Sequence, residues 1–143
     1  RVLMGQGMAR EALERADRLP AEWRTSVSWR ALQRDRIELG IEAKELTRAL
    51  AHANAYVSAH PKDAEAWRLY GSIADGLSRR SVAHWAAAER YALLGALPAA
   101  IEQLEAARRA ADTDFLSLSQ IDARLATLRR QWQVEKPKPN ERR

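Results

Sequence analysis

An all-α fold is what this sequence predicts: an α-solenoid of about seven antiparallel helices closed by a C-terminal capping helix. Three observations lead there. Within residues 64–128 apolar side chains recur at spacings of three and four, in four successive sets: Trp67, Leu69, Gly71, Ala74; Ala83, Ala87, Ala88, Tyr91; Ala100, Ile101, Leu104, Ala107; and Leu118, Ile121, Leu125, Leu128. Each set is the stripe of an amphipathic helix, with small residues beside large ones as points of close approach. A short helix of that kind cannot bury its stripe alone and must lie on its neighbours. Secondly, only 6 Gly and 5 Pro occur in 143 residues, while Ala, Leu, Glu and Arg run throughout, which favours helix over sheet. Thirdly, no alternating strand pattern appears, although 46% of the chain is apolar and a core of one ordinary domain is within reach.

The elements follow in order. Residues 1–6 read as the frayed end of an earlier helix. Residues 8–19 form a helix with Ala9, Ala12, Leu13 and Ala16 on one side, closed by Pro20. A second helix spans 21–39, carries Trp23, Val27, Ala31, Leu32 and Ile37, and is ended by Gly40. A third spans 42–59, turns Leu46, Ala49, Leu50, Ala53, Tyr56 and Val57 inward, and stops before His60-Pro61, because a residue preceding proline is pushed out of helical geometry. Asp63 caps a fourth helix that runs to 77. Ser78 or Ser81 caps a fifth, to 94. Gly95 ends it, and Pro98 suits the first turn of a sixth that ends near 111. Asp112, Thr113 and Asp114 form the next turn. The seventh helix starts between 115 and 119 and ends near 132, after which Pro137 and Pro139 among charges read as a disordered tail.

Three regions are therefore expected: a degenerate helical hairpin over 1–41, the repeats and capping helix over 42–133, and a disordered basic tail over 134–143. The net charge is +5, but residues 129–143 hold six cations (Arg129, Arg130, Lys136, Lys138, Arg142, Arg143) against Glu135 and Glu141. Most of the excess thus sits at the end of the last helix and in the tail, and the body is a mixed-charge surface. Nucleic acid is not an expected partner, since no basic stripe interleaved with aromatics is present. Cysteine is absent, which excludes disulfides, and no apolar run is long enough to span a membrane. The chain starts at Arg1 without a signal peptide, which suggests a fragment or a mature form.

A repeat search at a period of 34 residues finds the tetratricopeptide (TPR) pattern. With Pro61 at repeat position 32, Ala49 falls at 20, Ala53 at 24 and Tyr56 at 27. The next repeat starts at Ala64 and places Trp67 at 4, Tyr70 at 7, Gly71 at 8 and Ala74 at 11. A further frame from Ser81 places Ala88 at 8, Tyr91 at 11, Gly95 at 15, Ala100 at 20, Leu104 at 24 and Ala107 at 27. The last two frames overlap by half a repeat, which a solenoid tolerates because every helix packs on its predecessor. The solenoid is thus TPR-like and right-handed.

Residues 84–128 are more specific than a generic repeat. His84-Trp85-Ala86-Ala87-Ala88-Glu89-Arg90-Tyr91-Ala92-Leu93-Leu94-Gly95 is followed by Ala100-Ile101-Glu102-Gln103-Leu104, by Ala107-Arg108, and by Ile121-Asp122-Ala123-Arg124-Leu125 with Leu128-Arg129. This succession resembles the C-terminal TPR region of bacterial periplasmic zinc metallopeptidases of the β-barrel assembly-enhancing protease type. The resemblance covers residues 64–130 well and 42–63 loosely. It implies a periplasmic location. It also implies a parent zinc-dependent endopeptidase whose HExxH domain lies elsewhere, with this chain as the non-catalytic part. The partners it implies are outer-membrane proteins under assembly, the machinery that folds them, and the missing protease domain. The alternative is a free-standing TPR adaptor or scaffold from an unrelated pathway.

No zinc and no other cofactor is expected in this chain. His52, His60 and His84 are followed by Ala53, Pro61 and Trp85, and none has the Glu and second His of the zinc motif. Neither a Ser-His-Asp arrangement nor a glycine-rich phosphate loop is apparent, so no catalytic residue is assigned. Carboxylate pairs such as Glu11/Glu14 and Glu102/Glu105 read as solvated helix faces. The candidate site is a partner groove. In TPR arrays, positions 2, 5, 9 and 12 of each first helix line the concave side. They fall on Glu65, Arg68, Ser72 and Asp75 in one frame, and on Val82, Trp85, Glu89 and Ala92 in the next. Arg68, Ser72, Asp75, Trp85 and Glu89 are the residues proposed to hold an extended peptide. Arg68 would supply charge-assisted hydrogen bonds and Trp85 aromatic contact. The competing reading makes Trp85 core and Arg68 an ordinary surface arginine. For the last helix, capping is preferred for Leu118 to Leu128, and Trp132 is left open.

Overall fold

A computed structural model describes residues 11, 34, 35, 37, 38, 40, 41 and 45–139. Apart from Glu11, which is helical, the expected helix over 8–19 lies outside the described residues, as do most of that over 21–39 and the last four residues of the tail. Among the described residues, five helices have defined bounds: α1 (Leu46–Ala59), α2 (Ala64–Gly76), α3 (Arg80–Leu93), α4 (Leu97–Arg109) and α5 (Phe115–Glu135). No strand occurs among the described residues. They form two compact units divided between Ser78 and Arg79. That division falls inside the 42–133 span that the sequence groups together.

In the first unit α1 packs on α2. The Tyr56 hydroxyl donates to Asp63 Oδ2 at 2.9 Å, while Tyr70, further along α2, reaches back to Asn54 at 3.4 Å. These pairs run in opposite chain directions, so the two helices are antiparallel. Asp63 has two tasks. As expected, its other oxygen caps α2 by accepting from Ala66 N at 3.1 Å. One carboxylate therefore fixes both the end of α1 and the start of α2. Trp67 is buried, and its indole N–H donates to the Pro61 carbonyl at 2.8 Å. The core adds Ala49, Ala53, Val57, Ala66, Leu69, Ile73 and Ala74, together with Ile37 from the preceding segment.

Gly40 departs from the expectation of a helix terminator. Gly40 and Ile41 are themselves helical, and Gly40 is buried. A Cβ there would lie 2.8 Å from the Cβ of Ala49. The glycine is required by close packing on α1 and not by a left-handed turn. Helix is still present at 41, and Glu45 stands outside helical geometry immediately before α1, at φ −94° and ψ 59°. Consequently α1 begins at Leu46 and not at 42.

The second unit is a three-helix hairpin stack in which α4 packs on both α3 and α5. Its core is Ala88, Leu97, Ala100, Leu104, Ala107, Ile121, Leu125 and Leu128, with Trp85, Tyr91, Ile101 and Trp132 packed partly exposed against it. Ala86 is also fully buried, in place of Ala83 and Ala87, which are half-buried. The α3–α4 turn behaves as the sequence predicts. Gly95 takes φ +79°, its N–H bonds Ala92 O, and Ala96 N–H bonds Tyr91 O at 2.9 Å. Those are the two bonds of a Schellman cap. Pro98 sits in the first turn of α4.

Neither Ser78 nor Ser81 caps α3. Ser78 instead closes α2 in left-handed geometry, at φ 57°. The N-cap position of α3 is Arg79, which offers no side-chain acceptor. The vacancy is filled from the turn after α4, where Asp112 Oδ1 accepts from Ser81 N at 3.0 Å. Asp114 caps α5 through Ser117 N at 2.7 Å. The last helix continues to Glu135, three residues beyond the expected end at 132.

Two substitutions test this packing. Gly40→Val forces a branched side chain against Ala49 and should destabilise by about 1–3 kcal/mol. Trp67→Ala should cost about 3–5 kcal/mol through the cavity and the lost indole bond. Thermal melts measure both, and an unchanged midpoint for either places that residue outside the core.

Candidate partner-binding surface

Arg68, Ser72 and Asp75 lie at i, i+4 and i+7 on α2, and all three are exposed. The apolar residues of α2 (Ala66, Trp67, Leu69, Tyr70, Ile73, Ala74) are drawn into the core of the first unit. This leaves one polar stripe facing water. Arg68 Nε lies 2.9 and 3.0 Å from the two oxygens of Glu65, one turn earlier. Those hydrogen bonds, and then the charge of Glu65, raise the guanidinium above its ordinary value. An exposed pair of this kind contributes little to stability. Its fork-like geometry does hold the guanidinium plane at the head of the stripe, where a main-chain carbonyl or a carboxylate can bind. On the buried side, desolvation pushes the Tyr70 phenol above its ordinary value, so Tyr70 stays neutral.

Trp85 and Glu89 belong to α3, in the other unit, and their surroundings differ. Trp85 is half-buried and packs against the core of the second unit. Glu89 receives two hydrogen bonds from Arg124 on α5, Nε to Oε1 at 2.7 Å and Nη2 to Oε2 at 2.9 Å. Only 12% of the Glu89 side chain is exposed, which makes this a sheltered, bidentate pair. Of the five candidate residues, then, three form a solvent-facing stripe and two are engaged within their own unit.

The outer side of α4 and α5 forms an open cleft of about 500 Å³, lined in part by Glu105, Arg108, Arg109 and Leu125. Two ion pairs cross it, Arg108 to Asp122 at 2.8 Å and Arg129 to Glu105 at 2.9 Å. The sequence reading did not single out these pairs. The signal was present as opposite charges at corresponding heights on consecutive helices, but pairing them needs the antiparallel register. Asp122 and Arg124, the two charges of the Asp-Ala-Arg motif, thus serve contacts between helices.

The histidines have local partners. His60 lies with its ring centroid 4.7 Å from that of Tyr56, and His84 Nδ1 lies 2.9 Å from Gln103 Oε1. Among the described residues no three His, Cys, Asp or Glu side chains are grouped to hold a metal ion. No described helix is long and apolar enough to cross a membrane. No protein-family model matches the chain, and no curated protein matches it.

Asp114 gives the second unit a pH-sensitive element. Its bonds with Ser117 hold the carboxyl below its ordinary value. A depressed folded value means that the cap is fully present above about pH 4 and is lost as the pH falls through the depressed value. The Ser117 amide should lose exchange protection over that acidic window. In Asp114→Asn, which keeps an acceptor but cannot titrate, protection should be independent of pH there; a wild-type profile equally flat would contradict the cap.

Proposed function

We propose that this chain is a TPR-type protein-interaction region, the non-catalytic part of a periplasmic zinc metallopeptidase of the barrel-assembly type. It engages outer-membrane proteins or their assembly machinery by holding extended segments on exposed helix faces. In this reading the chain is a TPR-like right-handed α-solenoid of about seven antiparallel helices, and α5 is its cap. The zinc and the cutting chemistry reside in a separate domain.

One observation carries the reading. The residues of the family-like succession between 84 and 128 are those that pack the second unit. Ala88, Ala100, Leu104, Ala107, Ile121, Leu125 and Leu128 make its core, while Glu89, Arg108, Asp122 and Arg124 tie its helices together. Small residues at the helix crossings are what a repeat of stacked hairpins requires. The capping role of α5 is supported by its outward side, where Gln120, Ala123, Thr127 and Arg130 are exposed and polar or small.

The partner contact is assigned chiefly to the α2 stripe. Arg68→Glu should weaken pulldown of nascent outer-membrane proteins by about tenfold, the loss of one charge-assisted contact, while leaving the thermal midpoint within about 2 °C. Trp85→Ala should instead lower the midpoint, because its ring lies on the core. Unchanged pulldown with Arg68→Glu removes α2 from the binding surface. The parent protein is tested separately by the reading frame upstream of Arg1. An HExxH helix there supports the metallopeptidase, and its absence leaves the free-standing adaptor.

A further inference from the structure

The α4–α5 cleft holds arginines whose hydrogen-bonding capacity the fold does not use up. Arg108, Arg109 and Arg129 all line it, with Glu105 and Asp122 as its carboxylates. Pairing across the cleft is reciprocal. Arg108 of α4 donates from Nε to Asp122 Oδ1 at 2.8 Å, and Arg129 of α5 donates from Nη2 to Glu105 Oε1 at 2.9 Å. Each pair is a single hydrogen bond, whereas Arg124 meets both oxygens of Glu89. A guanidinium carries N–H donors on three nitrogens, so Arg108 keeps both Nη groups, and Arg129 keeps Nε and Nη1, for another acceptor. The four paired side chains stay accessible, and Glu105, the least exposed, is at 39%. Arg109 is exposed, and among the described residues it forms no ion pair.

A second cleft, at the α1–α2 turn, offers less. His60, Pro61, Lys62 and Asp63 line it, and Asp63 is already committed to Tyr56 and to the cap of α2.

We propose that the α4–α5 cleft binds a phosphorylated sugar. Three guanidinium groups against two carboxylates leave its lining with an excess of positive charge, and the unused N–H groups suit phosphate oxygens. The carboxylates decide the rest of the ligand. Asp122 and Glu105 each accept through one oxygen, which leaves Asp122 Oδ2 and Glu105 Oε2 for further donors. A bare anion has no proton to offer them and is repelled, while the hydroxyls of a sugar donate to them. Leu125 and Ala126 supply an apolar floor for the C–H face of the ring, and about 500 Å³ is room enough for a monosaccharide. The cleft lies wholly within the second unit and shares no residue with the α2 stripe, so this assignment does not rest on the partner-binding reading.

Titration of the full chain with glucose 6-phosphate, followed by amide chemical shifts and by calorimetry, tests the proposal. Saturable binding is expected at low salt, with shifts concentrated in 105–109 and 122–129, and it should weaken as salt rises. Glucose alone should not bind, and inorganic phosphate should bind several-fold more weakly. Arg109→Gln should reduce the affinity by about tenfold, and so should Arg108→Gln with Asp122→Asn, which removes one ion pair as a unit. Both variants alter exposed side chains, and a thermal melt verifies that each still folds. Arg68→Gln, in the first unit, should leave binding unchanged. Lack of saturable binding up to about 10 mM ligand overturns the proposal. So does full affinity in Arg109→Gln, or an equal loss in Arg68→Gln, which marks attraction by overall charge. Inorganic phosphate that binds as tightly as the sugar phosphate overturns the assignment of a sugar.

Discussion

Close approach of helix backbones is the constraint on which this structure depends. A Gly at 40 and an Ala at 49 stand where any larger pair would collide. Ala53, Ala66 and Ala74 in the first unit, and Ala88, Ala100 and Ala107 in the second, are all fully buried. Alanine buries little area of its own, so these residues do not supply most of the hydrophobic stabilisation. They set the spacing at which large neighbours such as Tyr56, Ile73, Leu104 and Leu125 can interlock. They also set the distance at which polar side chains reach across. Tyr56 meets Asp63, His84 meets Gln103 and Arg124 meets Glu89, each within 3 Å.

At the helix ends, three aspartates carry the next layer of organisation. Each accepts from an orphan N–H in a first helical turn, Asp63 from Ala66, Asp112 from Ser81 and Asp114 from Ser117. Two of them do something more than cap locally. Asp63 also receives the hydroxyl of Tyr56 from α1, and Asp112 belongs to a different turn from the helix it caps. A short side chain with two acceptor oxygens can serve two elements at once when the helices are held close. The turns and the core are thus linked, and the charged residues at the turns position helices as much as they solvate them.

The local features were legible in the sequence. The Asp63 cap, the stop at His60-Pro61, the Gly95 turn and Pro98 in a first turn depend on residues within a few positions of one another, and their chemistry is self-contained. What escaped the reading depends on distant partners. Gly40 looks like a terminator until Ala49 is placed against it. Ser81 looks like a cap until Asp112, 31 residues later, is seen to accept its N–H. The candidate site divides in the same way. The stripe of Arg68, Ser72 and Asp75 follows from helical spacing alone. The engagement of Glu89 follows from Arg124, 35 residues away, and no periodicity within α3 announces it.

The Asp112–Ser81 bond has a bearing on the order in which the second unit comes into being. A polypeptide leaves the ribosome from its amino terminus, so the start of α3 is made well before the acceptor that completes it. Until residue 112 has been added, the first turn of α3 lacks this bond. The first turn of α3 is therefore completed by a residue that the chain acquires only after α3 and α4 have both been made.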